Sequence, residues 1–120
     1  MVMENMFGEI LSDLTAGLVG GMGMAPSADI GDTHAVFQPC HGTAPDIMGK
    51  GLANPIGTFW SVVMLLEHLG EFEAAKRVMS AIETVTADES LHTGDLGGKA
   101  TTAQVTAAVC ALVEKVAVPA

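Results

Sequence analysis

The sequence predicts an α/β fold, helix-rich with few short strands. Four segments repeat apolar residues at helical spacing, and the stretches between them are dense in Gly and Pro, leaving room only for brief extended pieces. At 49% hydrophobic and 16% charged over 120 residues, the chain is too apolar for disorder and suits one domain that buries a core.

The elements follow in chain order. Met1 to Met3 reads as the tail of a strand. Phe7, Ile10, Leu11, Leu14 and Leu18 then recur on one stripe, which predicts a helix from Phe7 to Val19 with Asn5 as its cap. Gly20, Gly21, Gly23, Pro26 and Gly31 make the next stretch turn and loop, with a short extended piece over Pro26 to Ile30. His34 to Gln38 reads as a short buried strand, followed by a loop from Pro39 to Ala53. Asn54 and Pro55 start a helix as cap and first helical residue, and Gly70 stops it; the nearly all-apolar run between predicts a buried helix. From Glu71, the residues Phe72, Ala75, Val78 or Met79, Ile82 and Val85 form the buried stripe of an amphipathic surface helix. After a loop from Asp88 to Thr101, Thr102 caps a last helix through Val105, Ala108, Val109, Leu112, Val113 and Val116.

Charge excludes some functions. Five Lys+Arg against fourteen Asp+Glu give a net charge of −9, the wrong sign for a nucleic-acid-binding face. The longest charge-free apolar run, Ile56 to Leu66, is too short to span a bilayer, and the first basic residue is Lys50, so no basic region precedes the apolar N-terminus as in a signal peptide. The expectation is a cytoplasmic protein without nucleic-acid or membrane partners. Cys40 and Cys110 lack ligand spacing, as do His34, His68 and His92. Residues 1–49 carry six acids and no Lys or Arg, so a cation, a metal or a basic group from elsewhere, is expected near some of them.

Two constellations carry chemistry. Glu9 and Asp13 stand four apart, one turn apart on a helix face, where two carboxylates are close enough to share a divalent cation. Hard oxygen ligands favour Mg²⁺ or Mn²⁺ over zinc, although by spacing alone most acidic pairs of this kind are solvated helix surface. The second is the loop HGTAPDIMGKGLANP, His41 to Pro55, whose Gly, Pro, Asp and Asn suit the approach of a planar, polyhydroxylated molecule; it lacks the GxGxxG fingerprint. In such a loop Asp46 would accept both hydroxyls of an adenosine ribose and repel a 2′-phosphate, favouring NAD over NADP.

Together these segments resemble the isocitrate and isopropylmalate dehydrogenase family, the metal-dependent β-decarboxylating dehydrogenases. NMFGEILSDLTAGLVGGMGMAPSADIGD (Asn5 to Asp32) looks like the family's metal-ligand helix and Gly-rich turn. AVFQPCHGTAPDIMGKGLANP (Ala35 to Pro55) is similar to its adenosine-binding loop, and TGDLGGKATT (Thr93 to Thr102) to the lead-in to its last helix. The resemblance implies the C-terminal part of the isopropylmalate dehydrogenase-like fold as one unit over residues 1–120. Within it, 1–24 would be the metal-ligand and dimer-contact region and 25–120 the NAD loop and large-domain helices. It implies that Glu9 and Asp13 occupy the two metal-carboxylate places, where the family has the shorter Asp at the position of Glu9. His41, Gly42, Thr43, Ala44, Asp46, Ile47 and Asn54 fall on positions that line the adenosine half of the dinucleotide, Asp46 accepting from the ribose and Asn54 touching the adenine. Relatives that use NADP carry a basic and an aromatic residue in place of Asp46 and Ile47, so NAD is the implied cofactor, beside Mg²⁺ or Mn²⁺.

A site that grips a di- or tricarboxylate needs several arginines, and the sequence holds one, Arg77, and no Tyr. The family carries its substrate arginines, its catalytic Tyr and Lys and a further metal Asp in an N-terminal part that this sequence does not contain. The expectation is therefore a C-terminal fragment, a truncated product or one part of a split protein. It would belong to an NAD-dependent oxidative decarboxylase of a malate-type 2-hydroxy acid (isopropylmalate, isocitrate, homoisocitrate, tartrate or D-malate) and be inactive alone, paired with the N-terminal part or with further copies of itself. The alternative is a truncated, non-enzymatic remnant that acts as an oligomeric or partner-binding protein.

Overall fold

The helical periodicities fold as four α-helices: α1 over Asn5–Leu18, α2 over Ile56–His68, α3 over Phe72–Thr86 and α4 over Thr102–Lys115. Two strands, β1 over Pro26–Ile30 and β2 over Ala35–Pro39, lie between α1 and α2. The structure, a computed structural model, describes residues 4–18 and 20–115, without the side chains of Asn5, Glu9 and Asp13. The expectations for Met1 to Met3, Val19 and Val116, and for the Asn5 cap, fall outside the described residues.

β1 and β2 pair antiparallel with Ala28 opposite Phe37, and the Gly31 N–H donates to the His34 carbonyl (2.9 Å) at the tip. The second strand was expected to be buried from His34. Instead His34 is exposed, and Ala35 to Pro39 alternate between half-buried and exposed. A two-stranded hairpin packed on α2 has one covered face, and alternation follows from the twofold side-chain period of a strand. Phe37 anchors the hairpin to the end of α2, its ring centroid 5.4 Å from that of His68.

α3 lies between α2 and α4, and this three-helix layer holds the core: Ile56 and Val63 from α2, Ala75, Ala81, Ile82 and Val85 from α3, and Ala100, Val105 and Val109 at and within α4. Each fully buried Val or Ile stabilises the fold by roughly 1.5–3 kcal/mol relative to exposure. Asn54 Oδ1 accepts the Ile56 N–H (3.0 Å), so the Asn–Pro pair starts α2 as the sequence suggests. At the other end Gly70 adopts φ 81°, and the Glu71 N–H reaches back to the Leu66 carbonyl (2.8 Å), the glycine-terminated stop expected there.

Two expected faces differ. α2 was expected to be buried throughout, yet Val62 and Leu65 are exposed, because the hairpin and α3 cover only part of its circumference. Phe72 was placed on the buried stripe of α3 and is 65% exposed. It is the first residue of the helix, at the corner where α2 has already ended. In α1, Ala16 is the buried residue among the described side chains, whereas Leu14 and Leu18 are 67% and 84% exposed.

Candidate functional site

One cleft of about 870 Å³ gathers three separated segments: the turn after α1 at Met22 and Gly23, the loop from His41 to Asn54, and the approach to α4 at Gly94, Asp95 and Thr102. A volume of this order suits a drug-sized or nucleotide-sized molecule.

The loop is shaped by local chemistry. Ala44 sits at φ 42°, ψ 63°, a left-handed conformation that costs an L-residue roughly 1–2 kcal/mol and that turns the chain into the short 3₁₀ turn Pro45–Ile47. The Ile47 N–H donates to the Ala44 carbonyl (3.1 Å), and the Lys50 N–H to the Ile47 carbonyl (3.1 Å). His41 Nδ1 lies 3.0 Å from the Gly42 carbonyl. A carbonyl only accepts, so Nδ1 is the donor in this contact. Ile47, Met48 and Leu52 line the cleft with much of their surface exposed, an apolar wall of the kind a flat ring covers.

The far wall ties the loop to the helices. Thr102 donates its N–H to the Gly51 carbonyl (2.9 Å) and its hydroxyl to the Ala53 carbonyl, so the start of α4 holds the end of the loop. Gly57 N–H donates to the Gly23 carbonyl (3.0 Å), and a Cβ on Gly57 would meet that same oxygen at 3.0 Å, so the close approach of α2 to the turn favours glycine. Asn54, 8% exposed, donates through Nδ2 to Asp95 Oδ2 (2.9 Å), with Met24 Sδ at 3.6 Å from the same nitrogen. Asp95 Oδ1 accepts from the Thr93 hydroxyl, itself 1% exposed.

Of the seven residues assigned to the adenosine half of a dinucleotide, His41, Gly42, Thr43, Ala44, Ile47 and Asn54 line this cleft. Asp46 does not: it is exposed within the 3₁₀ turn, and the lining passes from Ala44 to Ile47. Asp95 was not singled out in the sequence, although it is the one acid in the Gly-rich run Gly94 to Gly98. Among the described residues the lining carries no Lys or Arg, and Asp95 is its single carboxylate.

Positions 9 and 13 both fall inside α1, so the backbone does set them one turn apart on one face; their side chains lie outside the described residues. That register fits two carboxylates offered to a hard cation. Among the described residues no group of three or more His, Cys, Asp or Glu converges.

A family model described as isocitrate/isopropylmalate dehydrogenase matches residues 1–109. The chain belongs to this family. It is 58% identical over 109 residues to the isocitrate/homoisocitrate dehydrogenase of Thermus thermophilus, covering 91% of this chain and 32% of that protein. It is 56% identical over 102 residues to the 3-isopropylmalate/3-methylmalate dehydrogenase of Methanocaldococcus jannaschii, covering 85% of this chain and 30% of the relative. Among solved family structures, isocitrate dehydrogenase from Methylococcus capsulatus superposes with a TM-score of 0.86 at 45% identity, over 91% of this chain and 33% of that one. The chain thus spans about a third of the length of the relatives it matches, and its helix-rich architecture with a two-stranded sheet is a partial form of the family's α/β fold.

Proposed function

We propose that this chain supplies the adenosine half of the NAD site to a metal-dependent oxidative decarboxylase of a malate-type 2-hydroxy acid. The observation that carries this reading is the cleft, whose lining includes six of the seven residues assigned to adenosine and, among the described residues, no basic side chain. The apolar wall of Ile47, Met48 and Leu52 takes the adenine face. A 2′-phosphate would find no Lys or Arg on the lining, which favours NAD over NADP by charge. Asp46, beside Ile47 in the same turn, accepts from the ribose hydroxyls in this reading.

Glu9 and Asp13 are the two carboxylates offered to Mg²⁺ or Mn²⁺. When bound, NAD supplies the hydride acceptor and the cation the Lewis acidity for loss of CO₂. With one Arg and no Tyr in the sequence, the groups that grip the dicarboxylate come in this reading from a chain segment of different sequence, the N-terminal part that the resemblance implies. The exposed apolar side chains of α1 are the surface such a partner covers. Among the described residues no helix is long and apolar enough to cross a membrane, in keeping with a proposed place in the cytoplasm.

Calorimetric titration of the 120-residue chain with ADP-ribose, NAD and NADP tests the reading. ADP-ribose and NAD are expected to bind and NADP to bind at least tenfold more weakly, with no NADH formed from any of these hydroxy acids. Failure of ADP-ribose to bind would overturn the adenosine assignment, and equal affinity for NADP would overturn the NAD preference.

A further inference from the structure

We infer that Asp95 is a positioning residue of this cleft, acting through Asn54: its carboxylate fixes the side-chain amide of Asn54 in one orientation and braces the turn at Gly23 against the loop. This rests on the reading of the cleft as an adenosine site.

The bonding leaves the amide one choice. The Ile56 N–H can only donate, so it requires Oδ1 of Asn54, 3.0 Å away. The carboxylate of Asp95 can only accept, so it requires Nδ2, 2.9 Å away. A flipped amide would set two donors against each other at one end and two acceptors at the other. The second oxygen of Asp95 is held by the buried Thr93, so the carboxylate cannot swing away without losing that bond. Gly23 closes the arrangement: a Cβ there would lie 2.5 Å from Asp95 Oδ2 and 3.1 Å from the Asn54 Cβ. Asp95, Asn54 and Gly23 all line the cleft, so the brace is part of its wall. Oδ1 of Asn54 keeps a second lone pair, and Asp95 determines that it is this acceptor, rather than the NH₂ group, that is held at the start of α2.

The test uses the full 120-residue chain and three variants, Asp95→Ala, Asp95→Asn and Asn54→Ala, with folding checked by thermal melting. In the chain without added nucleotide, the Asn54 side-chain amide protons are followed by NMR; they are expected to move upfield and exchange faster in Asp95→Ala. Affinity for ADP-ribose is expected to fall about tenfold in Asp95→Ala and about threefold in Asp95→Asn, since an amide there offers one accepting oxygen rather than two. In the Asn54→Ala background the Asp95→Ala change should cost nothing further, which a generally structural role would not produce. If Asp95→Ala does not fold, Asp95→Asn carries the same comparisons. Unchanged Asn54 resonances, or a full tenfold loss in the Asn54→Ala background, would overturn the positioning role while leaving the adenosine site standing. If the unaltered chain binds no ADP-ribose, the adenosine site falls and the positioning role falls with it.

Discussion

Asp88 shows how one side chain couples this fold to pH. Its carboxyl is held below the usual value of 3.8, first because the Ser90 hydroxyl donates to Oδ1 (2.6 Å), then because the Ser90 N–H donates to the same oxygen (2.9 Å), with His92 adding a smaller pull in the same direction. A carboxylate with a lowered folded pKa stabilises the fold above its unfolded pKa, and that contribution disappears as pH falls through the folded value. The side-chain carbon of Asp88 should therefore titrate by NMR with a midpoint below 3.8, and Ser90→Ala should move it up. A midpoint that stays put in Ser90→Ala would assign the shift to another cause. Ala44 gives a second prediction at this scale. A β-branched side chain at φ 42° adds to an already strained backbone, so Ala44→Val should cost roughly 1–3 kcal/mol in chemical denaturation and weaken ADP-ribose binding. Ala44→Gly should be close to neutral, its relief of strain offset by chain entropy. Legibility at this scale was uneven. Asn54 could be read as a helix start because Asn followed by Pro has a local meaning. The face that Asp46 presents depends on a 3₁₀ turn no spacing rule anticipates, and Asp95 acquires its meaning only beside Asn54, 41 residues away.

The start of α4 shows what an element adds. Thr102 was expected to be the cap, but Thr101 takes that role: its N–H donates to Gln104 Oε1 (2.8 Å) and its Oγ1 accepts the Gln104 N–H (3.3 Å). This is a reciprocal capping box, and Gln104 three positions on was the sequence signal that selects Thr101 over its neighbour. Thr101→Ala should lower stability by about 1 kcal/mol in urea denaturation. Thr102→Ala should instead weaken ADP-ribose binding more than stability, since that hydroxyl holds the loop at Ala53. Indistinguishable profiles for the two variants would refute this division of labour. The long loops were legible only as loops. Their 3₁₀ turns, Pro45–Ile47, Glu89–Leu91 and Gly94–Leu96, are too short to leave a periodic pattern.

At the scale of the whole molecule, apolar period revealed the helices well but said little about what covers them, because covering depends on surfaces far away in sequence or in another chain. α1 is the clearest case. Phe7, Ile10, Leu11, Leu14 and Leu18 form the expected apolar stripe and, like Met6, are exposed. A stripe of that size on a helix is costly in water, and we propose it as an interaction surface. Sedimentation at micromolar concentration should show species larger than the monomer, and Leu14→Glu with Leu18→Glu should return the chain to monomer; a clean monomer without those changes would count against it. The metal pair belongs to this scale too. The helix that sets positions 9 and 13 in register was legible, whereas what else would complete a coordination shell depends on residues distant in sequence, which no local spacing reveals.

The two bonds from Thr102 to the loop also have a consequence for the order in which the chain folds. Gly51 and Ala53 are tied to a residue about fifty positions later, so the loop gains its final support only when α4 docks on α3. Closing so long a stretch of chain is slow and late compared with forming a helix. The cleft should thus be among the last features to mature, and whatever fills it binds only the finished state. By mass action such a molecule raises the melting temperature of the entire chain rather than of the loop alone, by an amount that grows with the logarithm of its concentration. Heat resistance in the presence of a nucleotide then becomes a gauge of how completely the last helix has been seated.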